Sequence, residues 1–164
     1  MEIYSWNVNG IRSVTKKGFE SWFNATKPEI LCLQAVRDEK DQLPDFLLDA
    51  EGYYSFWNPC QKKKGYSGVG ILSQIEPDEV NYGMGIDEFD EEGRIVQLVF
   101  PDWVLNSVYF PNGGQGEERL DYKLRFYDAF LENSLQWLEQ GKHVITLGDY
   151  TTCHKEISIA RPNE

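Results

Sequence analysis

The chain has 164 residues, 41% of them hydrophobic and 14% aromatic, which is enough for one domain with a sizeable core and too apolar for a disordered segment. Sixteen basic and 27 acidic side chains give a formal net charge of −11, and a chain so acidic is repelled by nucleic acid at long range. That argues against tight non-specific DNA binding but leaves room for local basic clusters such as Lys16-Lys17 and Lys62-Lys63-Lys64.

Residues 2–7 alternate and read as a strand ending at Asn7. Residues 18–26 set Phe19, Trp22 and Phe23 at helical spacing, and Lys27-Pro28 closes that helix. Residues 30–34 form a nearly continuous apolar run, the pattern of a strand buried on both faces. A short helix is expected over 41–48. Strands are expected over 53–57 and 69–72, flanking the Lys-rich connection. The run Asp87 to Glu92 lacks the spacing of a calcium loop and reads as a solvated loop. Residues 95–100 and 103–109 read as a hairpin around Pro101-Asp102. The longest helical pattern runs from 117 to 140. Its expected core stripe is Leu120, Leu124, Tyr127, Phe130, Leu131, Leu135 and Leu138, and Gly141 stops it. Residues 143–148 are the last strand, tipped by Asp149.

This order of elements predicts a single layered α+β domain over 1–164. Three cysteines, Cys32, Cys60 and Cys153, show no motif spacing and point to reduced thiols in a cytoplasmic chain. The N-terminus enters a strand directly, without an apolar signal, and no run is long enough to span a membrane.

Polar tips after apolar strands are where α/β proteins bind ligands. Asn7, taken alone, is an amide tying a turn. Asp149 serves equally as a helix N-cap or as a carboxylate that orients water beside a metal. His154 reads as a surface or capping residue. Tyr109 to Gly113 closes a strand with a phenol, a rigid proline and an amide: an ordinary turn, or a pair of phosphate donors.

Six segments then occur in one order: residues 6–12 (WNVNGIR), 64–70 (KGYSGVG), 92–95 (EGRI), 109–113 (YFPNG), 118–124 (ERLDYKL) and 148–157 (GDYTTCHKEI). Together they resemble the exodeoxyribonuclease III family of apurinic/apyrimidinic endonucleases, over essentially the whole chain. The resemblance implies an α-β-β-α four-layer sandwich of the DNase I type, with magnesium at the strand ends between two sheets. It implies hydrolysis of the phosphodiester 5′ of an abasic sugar and removal of nucleotides from 3′ ends. By the same resemblance Asn7 lies at the metal and phosphate site, and Asp149 orients or deprotonates the attacking water. Tyr109 and Asn112 face the scissile phosphate. Arg12, Lys17, Gly65, Tyr66 and Arg94 contact the DNA backbone.

The chain departs from that pattern at telling positions. Ala35 stands where the family has its principal metal carboxylate, Thr151 where it has a phosphate-holding Asn, and Ser158 where it has an Asp. The family's second half, with its closing Asp-His pair, has no counterpart. The expectations are therefore a second sheet mostly missing, magnesium binding weak or absent, no cleavage by the chain alone, and weak, non-specific DNA binding. Three readings compete: an inactive truncated nuclease, a binding or interaction module, and one half of a two-chain nuclease. An uncovered sheet face is expected to be hidden by a second copy, as a homodimer, or by a complementing second chain.

Overall fold

The structure is a computed structural model that describes residues 1–153 and 155. Its elements in chain order are β1 (Ile3–Asn7), α1 (Ile11–Thr15), α2 (Phe19–Thr26), β2 (Ile30–Gln34), a 3-10 turn (Lys40–Gln42) and α3 (Asp45–Leu48). There follow β3 (Tyr54–Asn58), β4 (Val69–Ser73), β5 (Glu79–Asn81), α4 (Asp87–Asp90), β6 (Ile95–Val99), β7 (Trp103–Tyr109), α5 (Glu117–Glu139) and β8 (His143–Asp149).

Two four-stranded sheets form, in the orders β1-β2-β4-β3 and β5-β6-β7-β8. The pairs β1/β2 and β7/β8 are parallel, and every other neighbouring pair is antiparallel. Alternation along β2 explains the layering. Ile30 and Cys32 point between the sheets and pack with Val96, Leu98 and Leu105, whereas Leu31 and Leu33 point outward to Phe19, Phe23 and Leu47 of the helices. On the far side Ile95, Val108 and Phe110 meet Phe89, Tyr122, Phe126 and Phe130. The result is the expected α-β-β-α sandwich. Burial in the central layer pushes the Cys32 thiol up to about 12, so it is an inert core residue.

Three expectations need correction. The second sheet is not mostly missing, for residues 79–81, 95–99, 103–109 and 143–149 build it. The strands at 95–99 and 103–109 were legible, but which sheet they join depends on pairing across the fold. No sheet face lacks its partner layer, because the two inner faces cover each other. What stays open is the flank formed by the edge strands β1 and β8, each with one unpaired side among the described residues.

The second correction concerns α5. Its core face is Tyr122, Phe126 and Phe130, while Leu120, Leu124, Leu131, Leu135 and Leu138 are all 47–59% exposed. The third concerns the acidic run, which is a short helix rather than a solvated loop. Asp90 accepts hydrogen bonds from the N–H groups of Met84, Gly85 and Ile86, Phe89 is buried, and Glu92 is 3% exposed.

Candidate active site

Because β1, β2, β7 and β8 run in matched directions within parallel pairs, their C-terminal tips gather Asn7, Gln34, Tyr109 and Asp149. Asn7 Nδ2 donates to Asp149 Oδ2 at 2.6 Å across 142 residues of chain. Asn7 Oδ1 accepts from the Asn9 N–H at 3.0 Å, and Asp149 Oδ1 accepts from the Thr151 N–H at 2.9 Å. Both groups are thus oriented by the turn that follows their own strand. Gly148 is required just before Asp149, since a Cβ there would run into the Val108 carbonyl of β7.

Beneath this pair, Gln34 ties the sheets together. Its Nε2 donates to Ser5 Oγ of β1 and to Ser107 Oγ of β7, both at 3.1 Å. Gln34 matches the residue that precedes the family's metal carboxylate, but sequence reasoning assigned it no role as a tie between the sheets. Ala35 follows at φ 50°, 1% exposed, and its carbonyl accepts from the Gly10 N–H at 2.8 Å. A methyl group offers no ligand.

Tyr109 lies in register with Asp149 and is half-buried. Asn112 is exposed, and its Oδ1 accepts from the Gly114 N–H at 2.8 Å. Thr151 has φ 50°, an outlier for a β-branched residue. Its hydroxyl turns onto the backbone, 2.9 Å from the Pro111 carbonyl and 3.2 Å from that of Phe110, and so closes the loop rather than facing the tips. Lys123, unmarked by sequence reasoning although it lies within a quoted segment, donates its Nζ to the Thr151 carbonyl at 3.0 Å. Burial pulls its ammonium pKa down, and the charge of Asp149 pushes back the other way.

The expected backbone contacts divide. Lys17 and Gly65 are exposed. Arg12 is largely exposed but held by Asp38 at 2.8 and 2.9 Å. Arg94 is turned inward, away from solvent. It is 1% exposed, and Nε donates to Glu92 Oε2 at 2.7 Å, Nη1 to the Tyr109 carbonyl at 2.9 Å, and Nη2 to the Tyr66 hydroxyl at 2.7 Å. Arg119 of α5 closes the cluster onto Glu92 at 2.9 and 3.1 Å. Burial opposes the charge on Glu92, yet the two guanidinium groups outweigh it and hold the carboxyl below its ordinary value. Arg94 is thus a strut beneath Tyr66 and Tyr109. The expectations on His154 and Ser158 fall outside the described residues.

The strand tips thus bring one carboxylate, two amides and one phenol to the C-terminal ends of two stacked sheets. The endonuclease/exonuclease/phosphatase family matches residues 4–162. The chain belongs to this family. Within it lies the exonuclease III and apurinic/apyrimidinic endonuclease branch. The chain is 40% identical to an exodeoxyribonuclease of Bacillus subtilis (strain 168) over 99% of its own length and 63% of that protein. It is 37% identical to the DNA repair nuclease APEX1 of Danio rerio, over 99% of its length and 52% of the relative. Among solved structures, the APE2 catalytic domain of Xenopus laevis matches with a TM-score of 0.82 at 29% identity, over 94% of this chain and 60% of that one. The 3′-5′ exonuclease NExo of Neisseria meningitidis shares the fold, with a TM-score of 0.82 at 24% identity over 99% and 62%. The chain therefore spans about half to two thirds of the length of these relatives.

Among the described residues the strand tips offer a magnesium ion a single carboxylate. That ion is held by one or two carboxylates together with waters and phosphate. Asp149 is the one carboxylate brought to Asn7 among the described residues, its two oxygens already accept hydrogen bonds, and the Lys123 ammonium lies near it. Among the described residues no group of three His, Cys, Asp or Glu side chains could hold a metal. Also among them, no helix is long and apolar enough to cross a membrane.

Proposed function

We propose that this chain is a non-cleaving member of the DNA-repair nuclease branch, one that meets duplex DNA weakly at the strand tips and does not hydrolyse it unaided. The observation that carries this reading is Asp149, already bound by Asn7 and by the Thr151 N–H, while Ala35, next to Gln34 at the neighbouring tip, brings no carboxylate. Without a bound ion, charge building on a reacting phosphate lacks its main stabiliser, and water beside Asp149 keeps its ordinary high pKa. What the chain retains is recognition chemistry. Tyr109 and Asn112 can hydrogen-bond phosphate oxygens, and Arg12, Lys17 and the Lys62–Lys64 loop supply positive charge on an otherwise acidic surface.

A duplex carrying one abasic site, incubated with the purified chain and magnesium, tests this directly. The expected result is no nicking. Nicking that survives repurification and disappears in Asp149→Ala would overturn the reading. Binding is expected to be equal for intact and abasic duplexes, and to weaken steeply with salt. Arg12→Ala and Lys17→Ala should each reduce the salt slope by roughly one. The metal argument has its own check. Magnesium should leave the Tm of the unaltered chain in place and raise that of Ala35→Glu, which restores a second carboxylate.

A further inference from the structure

The face of the second sheet that lies under α5 carries one row of polar side chains across all four strands. Asn81 of β5, Gln97 of β6, Asn106 of β7 and Thr146 of β8 are partners in register. Elsewhere the same face is apolar, with Ile95 and Val108 packed on the aromatic residues of α5. Burying a row of amides costs free energy unless each polar group is paired.

The pairing can be followed atom by atom. An indole N–H can only donate, so Trp137 Nε1, 3.2 Å away, identifies the oxygen of the Gln97 amide. That assignment propagates. Gln97 Oε1 also accepts from Asn81 Nδ2 at 3.1 Å, which leaves Asn81 Oδ1 over. Gln97 Nε2 donates to Asn106 Oδ1 at 2.8 Å and to Asn133 Oδ1 at 3.0 Å, which leaves Asn133 Nδ2 over. Asn106 Nδ2 completes the row by donating to Thr146 Oγ1 at 3.4 Å. The Asn81 oxygen and the Asn133 nitrogen therefore have no partner among the described residues, and neither is sealed from solvent. One is a locked acceptor and the other a locked donor, and both flank the head of the same glutamine.

Asn81 and Asn133 line a cavity of ≈ 370 Å³ between β5, the turn after it and the C-terminal half of α5. That volume suits a small molecule. Tyr82 and Trp137 supply flat apolar walls. No free charge lines it. Both oxygens of Asp90 are taken by the N–H groups of Met84, Gly85 and Ile86, and burial pushes the Tyr82 hydroxyl up, so it stays neutral. Gln140 at the rim shortly precedes β8, whose far end carries Asp149, so the cavity lies apart from the strand tips.

We propose that this cavity binds a neutral nucleobase or nucleoside, held flat against Tyr82 and Trp137, with its ring N–H donating to Asn81 Oδ1 and its ring carbonyl accepting from Asn133 Nδ2. A sugar hydroxyl rotates to suit either sense and has no use for two amides locked in opposite senses. The edge of a base, whose donor and acceptor are fixed in one plane, matches them. A phosphate would add nothing, because no Lys or Arg lines the cavity and the chain carries −11. The site is independent of the DNA contact proposed at the strand tips.

Uridine is the probe, and 3-methyluridine, whose ring N–H is replaced by a methyl group, is its control. Uridine is expected to shift the side-chain amide NMR signals of Asn81 and Asn133 and the indole N–H signal of Trp137, and to leave those of Asn7 in place. 3-Methyluridine should bind at least about tenfold more weakly, since it leaves Asn81 Oδ1 unpaired. Uridine 5′-monophosphate should bind no more tightly than uridine. Asn133→Asp keeps the acceptor that Gln97 needs and replaces the outward donor by an acceptor, so it should fold and lose uridine by a similar factor. Tyr82 is exposed and clear of the amide row, so Tyr82→Ala should weaken uridine binding with the Tm unchanged. No shift at millimolar uridine, equal binding of 3-methyluridine or of glucose, or shifts gathered at Asn7 would each overturn the proposal and leave the amide row a tie between α5 and the sheet.

Discussion

The aromatic face and the leucine face of α5 are both apolar and both helically periodic, and they point to nearly opposite sides of one helix. Tyr122, Phe126 and Phe130 sit on the second sheet with Phe89, Val108 and Phe110, and Phe126 is 0% exposed. The leucines touch solvent instead. Three features explain which face wins. The aromatic side chains bury more area per residue than leucine. They interlock edge-on, with ring centroids 5.5 Å apart for Phe89–Phe126 and 5.7 Å for Phe110–Phe126. The same side of the helix also carries the polar groups that the sheet needs. Asn133 Oδ1 accepts from the buried Gln97 Nε2 at 3.0 Å, Trp137 Nε1 donates to Gln97 Oε1 at 3.2 Å, and Arg119 caps Glu92. A leucine face could satisfy none of these. Apolar periodicity shows that a face wants a partner, and the partner's own chemistry decides which face it receives.

The comparison breaks first at Phe126. Phe126→Ala leaves a cavity in the packed layer and is expected to cost about 3–5 kcal/mol in urea denaturation. A cost under about 1 kcal/mol would mean that the aromatic face does not hold the helix. The next largest effect is expected at Arg94. Arg94→Met removes the inner charge and leaves Glu92 to Arg119 alone, at a cost of about 3 kcal/mol. It should also loosen Tyr66 and Tyr109, visible as increased acrylamide quenching of tyrosine fluorescence.

A smaller effect should appear on acidification. The folded-state pKa of Glu92 lies below its ordinary 4.5, because the guanidinium groups outweigh burial. The stability it contributes is fully present above the ordinary value and is lost as pH falls through the depressed one. The urea midpoint should therefore drop more steeply below pH 4.5 in the unaltered chain than in Glu92→Gln. Parallel profiles would remove the ion cluster from the account. The smallest effect is expected on the other face, where Leu131→Ala should change the stability of the isolated chain by less than about 0.5 kcal/mol. A larger loss would show that the leucines already have a partner.

Much of the site could be read along the chain. Asn7 and Asp149 each end an apolar strand, and both reach the tips as expected. Arg94 was misread, because a cation on a strand near basic loops looks the same in sequence whether it faces phosphate or a buried carboxylate two residues away. Lys123 went unmarked because its partner is a backbone carbonyl, which no side-chain pattern announces.

By itself the sequence determined the strands and the long helix, which follow from local period, and the order of its motifs carried the resemblance to the family. Only the tertiary structure decided which sheet each strand joins, which face of α5 is core, and which flank is left open. Each of those depends on contacts between residues far apart in the chain, such as the 2.6 Å contact of Asn7 with Asp149. Local patterning states a need for burial or pairing, and packing selects who meets it.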